Sequence, residues 1–69
     1  MKLSARNQLS GKVTAIRKGA AIANVDVDVA GQRVLASITV EAVQELGLNE
    51  GSDVTVIIKA SDVMLATSA

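Results

Sequence analysis

Hydrophobic and polar residues alternate most regularly over residues 22–29, where Val25, Val27 and Val29 interleave with Asn24, Asp26 and Asp28. A period of two is the signature of a half-buried strand. Ala30-Gly31-Gln32 interrupts the alternation, and Arg33 to Ile38 resumes it, which predicts a hairpin. Upstream, residues 9–17 alternate only loosely, with Leu9, Gly11, Val13, Ala15 and Arg17 on one parity; Val, Thr and Ile nevertheless favour a strand. Lys18-Gly19 supplies a turn between these two strands. The period changes at Thr39. Val40, Val43 and Leu46 recur every third residue and predict a short helix over Thr39 to Leu46. Thr39 is a suitable N-cap, Glu41 sits in the first turn, and Gly47 can take the left-handed position that ends the helix. After the turn Asn49-Glu50-Gly51-Ser52, the β-branched run Val54 to Ile58 predicts a strand buried on both faces. Asp62 to Ala66 is expected to form a last short strand. The predicted order is β-β-β-α-β-β. It suits a mainly β fold: a single small OB-like five-stranded barrel with one short helix between strands 3 and 4.

Composition makes that barrel hard to stabilise alone. The chain has 69 residues with no Phe, Tyr, Trp or Cys. With no proline and no segment of disordered composition, it reads as one domain over residues 1–69. A chain of this size buries only roughly 60% of its unfolded surface, and aromatics, the usual source of large buried area, are missing. No disulfide or thiolate-bound metal can staple it. Association into a homo-oligomer is the expected remedy. Seven basic and seven acidic side chains cancel, so no long-range field gathers polyanions, and general nucleic-acid binding is not expected. OB barrels that bind single strands stack bases on aromatic side chains, and this chain has none. Neither a signal-peptide core nor an apolar run of membrane-spanning length is visible, so the cytoplasm is the expected location and no membrane partner is expected.

The residue types also restrict chemistry. Without His or Cys, metal catalysis and base-activated nucleophilic catalysis lack their usual groups. Asp26 and Asp28 share a strand face and could chelate a hard cation, but a solvated polar face is the simpler reading. Lys59 near Ser61 is an unconvincing nucleophile pair, and no carboxylate pair points to acid–base work. The chain is therefore read as a binding protein without enzymatic activity, metal centre or cofactor. Two polar stretches remain: Ser4-Ala5-Arg6-Asn7-Gln8 near the start and Lys59-Ala60-Ser61 near the end. Each combines hydroxyls, one cation and small residues that let the backbone come close. Donors without an intervening acceptor suit a tetrahedral dianion. If extended, Lys59 and Ser61 share one face with Ala60 opposite, and Ser4 and Arg6 share a face likewise. Solvated polar residues at chain ends remain the plainer alternative.

Ser4-Ala5-Arg6-Asn7-Gln8-Leu9, Gly11-Lys12-Val13, Glu45-Leu46-Gly47-Leu48 with Gly51, and Ile58-Lys59-Ala60-Ser61 with Val63-Met64 resemble the molbindins. These are small molybdate-binding proteins built from a single Mop (TOBE-type) domain, and the likeness runs from Ser4 to Met64. The resemblance implies an OB-like barrel, a homohexamer assembled as a trimer of dimers, and cytoplasmic storage of molybdate, with tungstate as a further ligand. It implies an oxyanion site between subunits, formed by Ser4, Ala5 and Arg6 of one chain and Lys59, Ala60 and Ser61 of another. A second oxyanion site near the threefold axis would use the turn after the first strand, here Gly19 and Ala20. This chain departs from the family's polar residue with Ile22, which weakens that second assignment. A regulatory or accessory domain acting with a molybdate transporter or regulator is the alternative function. A purely structural oligomer is a further one.

Overall fold

The computed structural model describes residues 2–68. The alternating segments form strands β1 (Asn7–Lys18), β2 (Ile22–Val29) and β3 (Gln32–Thr39); helix α1 (Val40–Leu46) follows, then β4 (Asp53–Ile58) and a 3-10 turn at Ala60–Asp62. All neighbours pair antiparallel in the order β3-β2-β1-β4. β1 is the long central strand. It pairs with β4 through its first half and with β2 through its second, Lys12 meeting both Asp53 and Asp28.

A bulge explains the loose alternation of β1. Val13 pairs with Val27 and Ala15 with Asp26, so Thr14 is the extra residue, and its hydroxyl donates to the Asp26 carbonyl at 3.2 Å. The insertion flips the parity. Val13 faces inward before the bulge and Ile16 packs on the same core after it. Val13, Ala23, Val25 and Val27 are buried there with Val43 of α1. The helix is short and held at both ends. The Thr39 hydroxyl accepts from the Ala42 N–H at 3.0 Å, and Gly47, at φ 64°, donates to the Gln44 carbonyl at 3.1 Å. The Leu48 N–H reaches the Val43 carbonyl at 3.1 Å and folds Leu48 back onto the core. No helix among the described residues is long and apolar enough to cross a membrane.

Three expectations need correction. Among the described residues the sheet has four strands and does not close into a five-stranded barrel. The fifth strand expected over residues 62–66 is absent, because the 3-10 turn redirects the chain and residues 64–68 make no hydrogen bond to the sheet. β4 is not buried on both faces. Val54 and Val56 are half-buried on the core side while Thr55 and Ile57 are exposed, because β4 is an edge strand with one neighbour, β1.

Candidate functional site

The β1–β4 ladder begins at the pair Asn7–Ile58. The Asn7 side-chain amide donates to the Ile58 carbonyl at 3.1 Å and ties the ladder end. Ser4–Arg6 precede that pair and Lys59–Ser61 follow it. Antiparallel register therefore brings both polar stretches to the same end of the sheet, although 55 positions separate Ser4 from Lys59 along the chain. Ser4 lies in a bend, Ala5 is half-buried, and its carbonyl accepts from the Gln8 amide at 3.4 Å. Arg6, Lys59, Ala60 and Ser61 are exposed.

The shared-face reading of Lys59 and Ser61 does not hold. Lys59 is extended, at φ −63° and ψ 135°, but Ala60–Asp62 turn as a 3-10 helix closed by the Asp62 N–H on the Lys59 carbonyl at 2.9 Å. Ser4 and Arg6 likewise lie outside any strand, so strand parity does not align them. A single helical turn leaves its first N–H groups without intrahelical partners. No backbone bond among the described residues uses the N–H of Ala60 or Ser61. The cations are uncommitted too. The salt bridges among the described residues are Lys12–Asp53, Arg17–Asp26 and Arg33–Asp26, and none involves Arg6 or Lys59. One end of the sheet thus carries two unpaired cations, two hydroxyls and free amides, with Asp62 the only nearby carboxylate in sequence. Such a donor set can hold a multi-oxygen anion by charge-assisted hydrogen bonds.

Gly19 and Ala20 are not part of this constellation. They sit in the β1–β2 turn, at the opposite end of β1, where the Gly19 N–H donates to the Ile22 carbonyl at 2.8 Å. The neighbouring Ala21 carbonyl accepts from Val40 at 2.8 Å, linking the turn to the start of α1. Gly19, Ala20 and the apolar Ile22 are exposed, and among the described residues no charged side chain is bonded to them.

Asp26 is the polar residue whose role strand alternation misjudges. It is 8% exposed, not part of a solvated face. Arg17 donates to it through Nη1 at 2.7 Å and Nη2 at 3.3 Å, and Arg33 through Nε at 2.9 Å and Nη2 at 2.7 Å. The Arg17 hydrogen bond holds the Asp26 carboxyl below the usual carboxylate range; burial opposes this, and Arg33 reinforces it. The same bond raises Arg17 above its ordinary value. A cation-chelating role with Asp28 does not fit, since two guanidinium groups already occupy the carboxylate and Asp28 is exposed. No cluster of three metal-ligating side chains occurs among the described residues. The available signal was an Arg on each flanking strand. Their reach across diagonal positions, from the pairs Arg17–Asn24 and Arg33–Asp28, depends on the register.

Comparison with known proteins places these features in context. The TOBE domain family model matches residues 3–65. Molybdenum-pterin-binding protein 3 of Clostridium pasteurianum is 44% identical over 66 residues, spanning 94% of this chain and 97% of that protein. A solved molybdate-binding protein from Sporomusa ovata superimposes with a TM-score of 0.93 at 36% identity, covering 97% of this chain and all (100%) of its own. The cytoplasmic molybdate-binding protein ModG, solved with molybdate bound, gives 0.88 at 43% identity. Its match takes in 93% of this chain and 46% of that longer one. The open four-stranded sheet with its single helix is therefore the OB-like fold of those structures.

Proposed function

Because this chain belongs to the TOBE-domain family, we propose that it is a non-catalytic molybdate-binding protein. The reading extends to cytoplasmic storage of the oxyanion, with tungstate as a second ligand of the same charge and shape. It places the primary site at Ser4, Ala5 and Arg6 with Lys59, Ala60 and Ser61. The observation that carries this assignment is the Asn7–Ile58 register, which gathers both stretches and their two unpaired cations at one end of the sheet. A solvent-facing bend and a single 3-10 turn approach an anion from one side only. Enclosing four oxygens needs donors from a second direction, so the site is completed by another copy of the chain. The proposed assembly is a homohexamer, a trimer of dimers, consistent with a core of five buried apolar residues among those described. A second oxyanion site at Gly19 and Ala20 belongs to the same proposal, formed only where copies bring several such turns together, since one chain offers too few donors there. The whole of residues 1–69 then acts as one binding domain, without cofactor, nucleic acid or membrane as partner.

Isothermal titration with molybdate tests the reading, with sulfate and tungstate as competitors. A hydrogen bond to a charged partner contributes about 1.5–3 kcal/mol, which corresponds to a roughly 10- to 150-fold loss of affinity on its removal. Ser61→Ala and Arg6→Ala are each expected to fall in that range while keeping the far-ultraviolet dichroism of the parent. Unchanged molybdate affinity in both variants would refute the site, and absence of binding heat in the parent would refute the function.

A further inference from the structure

Hydrogen bonding in the Lys59–Ser61 stretch is one-sided. The Lys59 carbonyl accepts from the Asp62 N–H at 2.9 Å, and the Ala60 carbonyl from the Val63 N–H at 3.3 Å. The Ile58 carbonyl, the last before the stretch, accepts from the Asn7 side-chain amide at 3.1 Å. Three consecutive acceptors are thus engaged within the chain. Among the described residues, no hydrogen bond uses the N–H of Lys59, Ala60 or Ser61. The 3-10 turn itself engages two of the carbonyls. The third depends on a side chain 51 positions away in sequence.

We propose that Asn7 is a positioning residue for oxyanion binding: its side chain fixes the peptide that leads into Lys59–Ser61, so that the stretch presents donors and withholds acceptors. This deepens the proposed oxyanion site and rests on it. A trans peptide is planar, and its C=O and N–H point in opposite directions. Holding the Ile58 carbonyl toward β1 therefore aims the Lys59 N–H away from β1, at the free edge of β4. The same bond keeps the negative end of that peptide turned from an anion held by the stretch. Asn7 stands where such a brace has most effect. Asn7–Ile58 is the last pair of the β1–β4 ladder, and both strands end there. Backbone pairing alone is weakest at such an end, where chains fray. Asn7 is half-buried, which shields its bond from water. An amide oxygen sits beside the donating nitrogen and repels an anion, so Asn7 acts through Ile58 and not on the ligand. The neighbouring Gln8 provides no equivalent brace. It is exposed, and its amide meets the Ala5 carbonyl at 3.4 Å, beyond the usual range for such a bond.

Isothermal titration of Asn7→Ala and Asn7→Leu with molybdate tests the role. Both variants lack the donor, and leucine keeps most of the bulk. Loss of one neutral hydrogen bond is expected to weaken molybdate binding roughly 2- to 12-fold in both, less than in Ser61→Ala. Backbone amide heteronuclear NOEs of the ligand-free protein supply a readout that a general loss of stability does not move. Those of Lys59, Ala60 and Ser61 are expected to fall in both variants, while those of β2 and β3 hold. Gly31→Ala, strained at a φ of 85° in the β2–β3 turn, is the comparison for lost stability and should bind molybdate as the parent does. If Asn7→Ala does not fold, the leucine variant decides alone. Parent affinity in Asn7→Leu would show that the side chain only fills space, and overturns the proposal. Weakened binding with unchanged NOEs would mean direct contact with the anion and overturns it too, as would an equal loss in Gly31→Ala. These results leave the oxyanion site standing. The site itself fails only if the parent gives no binding heat, or if Ser61→Ala and Arg6→Ala both bind as the parent does, and the role of Asn7 then fails with it.

Discussion

Gly11→Ala is the substitution whose consequence follows most directly from the structure. Gly11 lies in β1, one residue before the pair Lys12–Asp28. A Cβ there would stand 2.6 Å from Val27 Cγ1, 2.9 Å from the Asp28 carbonyl oxygen and 3.0 Å from Val29 Cγ2. All three atoms belong to β2, and one is backbone, so no side-chain rotation clears the position. β1 must shift against its neighbour, in the half of the sheet where the buried core residues Val13 and Val27 pair. Overpacking of this kind costs about 1–3 kcal/mol. Replacing Gly by Ala also restricts the unfolded chain, which favours folding by about 0.4–1 kcal/mol. At mid-range the clash outweighs that gain and leaves a net loss of roughly 1 kcal/mol, between limits of about 0 and 2.6 kcal/mol. Urea unfolding followed by far-ultraviolet dichroism measures it, since the chain has no Trp or Tyr to report by fluorescence. The expected result is a lower midpoint with an unchanged slope at equal protein concentration. Gly31→Ala is the matched comparison. It meets no atom within 4 Å and is disfavoured only through its φ of 85°. A Gly11→Ala midpoint equal to or above that of the parent would refute the close-approach argument.

Three further outcomes are expected. Asp26 has a folded-state pKa below its unfolded value, so its contribution is fully present above about pH 4 and is lost as pH falls through the folded value. Asp26→Asn should therefore be less stable than the parent at pH 7, with the gap closing in acid, as read from urea midpoints across pH; a gap that stays constant contradicts the Arg17–Asp26–Arg33 assignment. Molybdate at ~100 times its dissociation constant should stabilise the assembly by about 2.7 kcal/mol per site, raising the melting temperature where sodium chloride of equal ionic strength does not. Thr39→Ala removes the hydroxyl that accepts from Ala42 and should cost ~1 kcal/mol, measurable as a lower thermal midpoint.

Several features of this protein are legible in the chain itself because they depend on near neighbours. The alternation of Val25, Val27 and Val29 specifies β2, and the turn at Ala30-Gly31 specifies its hairpin with β3. Thr39 and Gly47 bound the helix as N-cap and left-handed C-cap, each acting within its own turn. The residues of the candidate site were also visible, as donor-rich stretches and as a family resemblance. The resemblance pairs the two stretches only between chains; that they also end side by side within one chain comes from the antiparallel register of β1 with β4, a pairing across 51 residues between Asn7 and Ile58. The fate of Asp26 is similar. Its place among polar alternates reads as solvated, yet the bulge at Thr14 and an Arg on each flanking strand bury and pair it. Residues 62–66 carry enough β-forming character to predict a strand, but a strand exists only where another offers an open edge. Local pattern decides which segments can become strands and where they turn; which edges they find is decided by long-range pairing, whose cost and reward no short stretch of sequence records.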